Sequence, residues 1–223
     1  MPKSQVLPEL TVEILCREAA LFAKRESAHD EPAIYGVTDG KAVGTYFELK
    51  LRRYLAEHYT FSAGNAAKGI DYPGLNVDVK VTSIKQPQSS SPFRSARQKI
   101  FGLGYALLVF VYEKLDDAQT QTGRLNMLHT LYVESHRTAD YQTSRGILDI
   151  LTRDGNKEDL LAFMTDRNLP VDEIEAGNLA DEILRSPPEL GYLTISNALQ
   201  WRLQYGRVIQ VAGQVAGIVE VRP

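Results

Sequence analysis

Cysteine is nearly absent: Cys16 is the only one in 223 residues. An internal disulfide framework and a thiolate zinc cluster are both excluded. Histidine is scarce too, and His29, His58, His129 and His136 are too scattered to suggest a histidine-rich metal site. The longest apolar stretch, Ala106 to Tyr112, falls far short of the ~18 residues that a membrane-spanning helix takes. The first residues, MPKSQVLPEL, contain no apolar run of the kind a secretory leader carries, so a cytoplasmic location is the expectation. Several catalytic signatures are missing. There is no glycine-lysine-serine/threonine phosphate loop, no HExxH, no paired CxxC and no GxSxG. The adjacent Ser135 and His136 do not make a triad, whose members meet in space and need a third group.

What is present is an ordinary globular composition, 43% hydrophobic and 24% charged, which argues against disorder and low-complexity scaffolds. The net charge of −3 hides segregation along the chain. Residues 154 to 189 hold ten acids against Lys157, Arg167 and Arg185, a local −7, so the remainder carries +4. Val79 to Tyr112 contains no acid but has Lys80, Lys85, Arg94, Arg97 and Lys99, and Leu190 to Val219 is again free of acids, with Arg202 and Arg207. Apolar strands with solvated ends account for much of the second stretch. The first is polar and basic through QPQSSSPFRSARQK, which is not core.

Glu9 to Ala28 reads as an amphipathic helix, and Ala42 to His58 as a second, with Val43, Phe47, Leu51 and Leu55 on one stripe. FSAGNAAKGID reads as a short strand, and Tyr72-Pro73-Gly74-Leu75 as a type II turn. NVDVKVT alternates strictly, as a strand does. QPQSSSP reads as a polar loop, Phe93 to Phe101 as a helix, and YALLVFVY as a strand buried on both faces. A strand over Leu128 to Glu134 and helices over Thr143 to Leu151, Glu158 to Thr165 and Val171 to Arg185 follow. Ile195 to Tyr205 reads as a helix, and RVIQV with GIVEV as a hairpin. The expectation is an α/β (α+β) fold, a mixed β-sheet flanked by helices. It divides into a core over residues 1–155 and a helical and hairpin region over 156–223. Three helices and a hairpin form the order of a winged helix, so this second region reads either as a DNA-recognition subdomain or as a completion of the fold or a dimer interface.

Chemistry concentrates at Asp71 and Asp78-Val79-Lys80. Acid-x-lysine is weak by itself: 28 acids and ten lysines produce it roughly once by chance, and it occurs three times. Asp39-Gly40-Lys41 lies in a turn. Glu48-Leu49-Lys50 lies in a helix, where residues two apart point about 200° apart. Only Asp78 and Lys80 occupy a strand that sends both side chains to one face. Asp71 precedes a tight turn and Asp78 follows it, so the carboxylates can approach each other. Two carboxylates with room for water and phosphate suit Mg²⁺, which polarises a phosphate and helps generate hydroxide from water. Lys80 could touch the attacking water or stabilise the developing phosphorane charge. An exposed hairpin of alternating charge would look the same.

These residues resemble the core of the PD-(D/E)XK nuclease superfamily, and are most similar to type II restriction endonucleases. The resemblance covers Val43 to Tyr112: GTYFELKLRRYL as the opening helix, GIDYPG with its aspartate, VDVKVTS as the acid-x-lysine strand, a basic helix, then YALLVFVY. It departs at Ile70, where the family favours proline, and in the short spacing from Asp71 to Asp78. The resemblance implies that Asp71 and Asp78 are metal ligands, that Lys80 is the catalytic lysine and that Glu48 is an auxiliary ligand, so that residues 1–155 form a nuclease core. Lys85, Arg94, Arg97, Gln98 and Lys99, and Asn197, Gln200, Arg202 and Gln204 near the C-terminus, have the chemistry to contact phosphate or base edges of double-stranded DNA. The implied activity is Mg²⁺-dependent, site-specific cleavage of double-stranded DNA by a homodimer, with a cognate DNA methyltransferase protecting the host. The alternatives are a repair or junction-resolving nuclease of the same superfamily, and a non-catalytic winged-helix DNA-binding protein.

Overall fold

A computed structural model describes residues 7–62, 64, 69–90, 95–196 and 202–221. The chain forms two compact units, each assembled from separated stretches: residues 1–87, 107–132 and 219–223 in the first, and 88–106 with 133–218 in the second. The α+β class expected from the sequence is borne out.

The first unit opens with helix α1 (Val12–Ser27), whose N-cap Thr11 accepts a hydrogen bond from the Ile14 N–H. Helix α2 (Gly40–Ala56) is capped by Asp39. Its apolar stripe is the one read from the sequence, and Val43, Phe47, Leu51 and Leu55 are all buried. The rings of Phe22, Phe47 and Phe110 pack in series at 5.2 and 4.7 Å between centroids. Strands β1 (Val77–Ser83), β3 (Ala106–Asp117), β4 (Thr122–Val133) and β7 (Ile218–Glu220) form one sheet in the order β1-β3-β4-β7. Residues 106 to 112 of β3 are buried throughout, as a continuous apolar run requires. Helix α2 lies against β1, and a Cβ on Gly44 would meet the Val81 carbonyl oxygen at 3.7 Å.

The second unit packs helices α3 (Ala96–Phe101), α4 (Tyr141–Thr152), α5 (Lys157–Asp166) and α6 (Glu173–Arg185) around Ile100, Ile147, Leu160, Met164, Leu179 and Ile183. Strands β2 (Gln88–Ser90), β5 (Thr194–Ile195) and β6 (Arg202–Gln204) form a small antiparallel sheet, β2-β6-β5, followed by helix α7 (Gly206–Val211). Buried Asp140 joins helix to sheet. One carboxylate oxygen caps α4 by accepting from the Thr143 N–H and hydroxyl at 2.9 and 2.7 Å, and the other accepts from the Ile195 N–H at 2.8 Å. Gly191 passes so close that a Cβ there would fall 2.1 Å from the Ala139 carbonyl oxygen, so any larger residue must displace backbone.

Several local expectations are corrected. QPQSSSP is not wholly loop, because Gln88 to Ser90 pairs with Gln204 to Arg202, a long-range contact invisible in a short window. The helix expected over 195–205 is strand at 194–195 and again at 202–204, while RVIQV, expected to be strand, is the helix α7. GIVEV does contain a strand, but it pairs beside β4 and not with RVIQV, so the winged-helix order of elements is not observed. The turn after Asp71 also differs. Leu75 donates to the Tyr72 carbonyl as expected, but the left-handed residue is Asn76 (φ 55°) and not Gly74, which rules out type II. Asparagine tolerates that conformation because its short polar side chain can bond locally.

Candidate metal and phosphodiester site

Three pieces of the first unit bring the acidic residues together. On α2, Gly44, Glu48 and Arg52 follow one another at four-residue spacing, so the close approach at Gly44 carries the next two side chains along β1. The bridge between Tyr72 and Val77 closes the turn and returns the chain antiparallel to itself. Asp71 is thereby held beside β1, where its Oδ2 accepts from the Val79 N–H at 2.9 Å and its Oδ1 from Arg52 at 3.1 Å. Strand alternation then points Asp78 and Lys80 to one face, with Nζ 2.6 Å from Asp78 Oδ2. A shallow cleft lined by Glu48, Leu51, Arg52, Asp71, Tyr72 and Val79 opens beside them.

The strand is not an exposed ribbon. Asp78 is 2% exposed, and Val77 and Val79 on the opposite face are buried as well. Asp78 Oδ2 is a buried oxygen that meets the Lys80 ammonium in an ion pair outside ideal hydrogen-bond geometry. Burial raises the pKa of Asp78, Lys80 opposes the rise and Asp71 adds to it. Glu48 is pushed up to about 7, first by burial, then by the negative charge of Asp71, with Asp78 adding and Lys80 and Arg52 opposing. Three carboxylates repelling one another in a poorly hydrated corner form an arrangement that a cation relieves.

Among the described residues, no three acidic, histidine or cysteine groups stand ready-made in metal-binding geometry. The carboxylates are turned instead toward Arg52 and Lys80. Mg²⁺ needs only one or two protein carboxylates beside water and phosphate, and the buried Asp78 carboxylate next to Asp71, with a single lysine on its Oδ2, fits that requirement.

Arg52 and Tyr72 belong to this site and were missed in the sequence. Arg52 could have been found, because it stands one helical turn beyond Glu48 on the same row. It orients Asp71, and partners that orient a ligand typically contribute 10–100-fold to metal affinity or activity. In the DNA cleavage that the resemblance implies, Arg52→Ala should therefore lower kcat by roughly 10–100-fold without moving the melting temperature by more than about 4 °C. Kinetics at saturating metal, with a parallel thermal melt, check this.

The raised carboxyls also fix a pH dependence. Because Glu48 and Asp78 hold protons more tightly folded than unfolded, their charged forms oppose folding at high pH, and the opposition fades as pH falls through about 7 for Glu48 and lower for Asp78. In chelator, the melting temperature should rise as pH is lowered from roughly 8 toward roughly 5.5, and Glu48→Gln should flatten the upper part of that rise. A melting series over pH decides it.

The expected DNA contacts are scattered. Lys85 is exposed in the turn after β1, and Arg202 and Gln204 are exposed on one face of β6. Arg97 is exposed but forks onto Glu182 at 2.7 and 3.2 Å and lies over the Phe101 ring, while Gln98 is half-buried. Lys99 is corrected: α3 turns it inward with Ala96 and Ile100, it is 5% exposed, and burial lowers its pKa against the opposing charge of Asp140, so it is no surface phosphate contact. Arg94, Asn197 and Gln200 lie outside the described residues.

A family model described as type II restriction enzyme NspV matches residues 9–220. The chain belongs to this restriction-enzyme family. A curated relative, the type II restriction enzyme NspV of Nostoc sp. (strain ATCC 29411 / PCC 7524), is 69% identical over 212 residues, which is 95% of this chain and 96% of the relative. The resemblance to type II restriction endonucleases read from the acid-x-lysine strand is borne out by both matches to the family. No solved structure matches the chain. Among the described residues, no helix is long and apolar enough to cross a membrane.

Proposed function

We propose that the chain, as a member of the NspV family, cuts double-stranded DNA at a specific sequence in a PD-(D/E)XK site built from Glu48, Asp71, Asp78 and Lys80. Site-specific deoxyribonuclease activity follows from family membership. The observation that supports the site assignment is the buried Asp78 carboxylate, its Oδ2 paired with Lys80 at 2.6 Å and Asp71 beside it. Asp71 and Asp78 would hold Mg²⁺, with Glu48 as an auxiliary ligand. When bound, the ion supplies Lewis-acid polarisation of the scissile phosphate and a lowered pKa for an attacking water. Arg52 and the Val79 N–H orient Asp71. Lys80 carries its amine on a flexible stem, suited to the water or to the charge growing on phosphorus. Lys85, Arg97, Gln98, Arg202 and Gln204 supply contacts to DNA, Arg97 by exchanging Glu182 for a phosphate.

A palindromic target would be met by a two-fold homodimer, and a cognate DNA methyltransferase in the same cytoplasm would protect the host's own sites. The C-terminal part of the chain, residues 156–223, would contribute to DNA recognition or to the dimer. Incubating long DNA with the protein and Mg²⁺ tests the reading. Discrete fragments support it, a smear would indicate a non-specific nuclease, and intact DNA with retarded mobility would indicate a binder without catalysis. Ca²⁺ in place of Mg²⁺ should permit binding without turnover.

A further inference from the structure

The small sheet of the second unit has two chemically different faces. Leu203 and Ile195 are buried on one face, and Ser89 on the same side is tied to the buried Tyr205 hydroxyl at 2.6 Å. Register places Gln88, Gln204 and Thr194 in one row across the other face, and Ser90 beside Arg202 in the next. Ser196 continues that second row, its N–H donating to the Arg202 carbonyl at 3.3 Å and its Oγ accepting from the Arg202 N–H at 3.3 Å. The result is a grid of amides, hydroxyls and one guanidinium on a sheet fixed from beneath. None of the three strands contains an acid or exposes an apolar side chain on this face. Ser90, Arg202 and Gln204 are exposed.

A protein partner would want aromatic or aliphatic anchors at the centre of such a patch, and the described residues of this face supply none. The groups present are instead those that read base edges: glutamine pairs with the N6 and N7 of adenine, arginine with the O6 and N7 of guanine, and serine or threonine with either. The spacing also suits DNA. Side chains two apart on a strand are separated by about 6.8 Å, close to two base steps of about 3.4 Å. Antiparallel β elements enter the major groove in several DNA-binding proteins.

We infer that the exposed face of the β2-β6-β5 sheet is a base-reading platform, in which Gln204 and Arg202 contact base pairs two steps apart in the target and Gln88 and Ser90 complete the pattern from the adjoining strand. This rests on the reading of the chain as a DNA endonuclease. It assigns specificity to a sheet that contains none of the residues proposed for cleavage, so the two can fail separately.

The test is selection of bound duplexes from a library with a randomised centre, using the full-length protein in Ca²⁺, with thermal melts to show that each variant folds. The wild type should enrich one short sequence. Gln204→Ala and Arg202→Ala should each reduce affinity for that sequence by about 10–100-fold and relax the preference at one or two adjacent positions, leaving the others intact. Gln204→Glu should shift the preference at the same position toward the base pair that presents the cytosine N4 donor. Two outcomes overturn the platform while leaving the endonuclease reading in place: all three variants retain the wild-type preference, or Arg202→Ala weakens every duplex equally with a smaller salt dependence, the mark of a phosphate contact. Failure of the wild type to enrich any sequence would overturn both.

Discussion

Asp78→Ala should reduce DNA cleavage by roughly 10³-fold or more while DNA binding in Ca²⁺ survives, because several kcal/mol of transition-state charge stabilisation disappear with the ligand, at about 1.4 kcal/mol per factor of ten. Lys80→Ala should cost about 10²–10³-fold by removing the lysine that pairs with Asp78. The two losses should not add, since both groups serve the same step. Truncating Asp78 also removes a buried carboxylate whose desolvation outweighs its ion pair with Lys80, so the metal-free variant should melt no lower than the wild type. Single-turnover cleavage, a binding titration and a melt in chelator separate these effects. Full activity in either variant would remove the site assignment, and loss of folding in Asp78→Ala would show the carboxylate to be structural.

The second large effect is on stability. Asp140→Ala removes the cap of α4, about 1 kcal/mol, and leaves the buried Ile195 N–H and Thr143 hydroxyl without their acceptor, at about 1–3 kcal/mol each. A loss of roughly 3–5 kcal/mol is expected, a large share of the 5–15 kcal/mol that holds a typical domain. Asp140→Asn keeps a good capping oxygen and should recover much of it. Urea midpoints at constant slope measure both, and a change below about 1 kcal/mol in Asp140→Ala would contradict the described network. Because Asp140 secures β5, the Asn variant also offers a folded protein in which to ask whether loosening that strand alters sequence preference.

Much of the first unit was legible because its signals are local. The stripe Val43, Phe47, Leu51 and Leu55 has helical period, β1 has strand period, and β3 is a continuous apolar run. Those same periods placed Asp78 and Lys80 on one face. Arg52 was hidden because arginines on helices are commonplace and its partner Asp71 is nineteen positions away. The burial of Asp78 was unreadable for a similar reason, since alternation indicates which residues share a face but not whether that face is covered. The C-terminal elements misled because RVIQV is rich in β-branched residues, yet the chain there forms α7. The partner of β6 is a serine-glutamine segment more than a hundred positions earlier, with no intrinsic strand signal. Asp140 had a readable capping pattern, but its second role reaches Ile195, fifty-five positions later.

The order β1-β3-β4-β7 has a consequence for synthesis in the cell. The strand bordering β4 comes from residues 218 to 220, and the Val221 N–H adds a bond to the Thr130 carbonyl at 2.7 Å. Synthesis runs from the N-terminus, so the sheet that bears the proposed cutting residues stays one strand short until residues 218 to 220 have emerged. The sheet of the first unit is therefore completed only by residues made after nearly all of the second, and a chain without residues 218 to 221 would leave the edge of β4 unpaired, open to the strand of another chain.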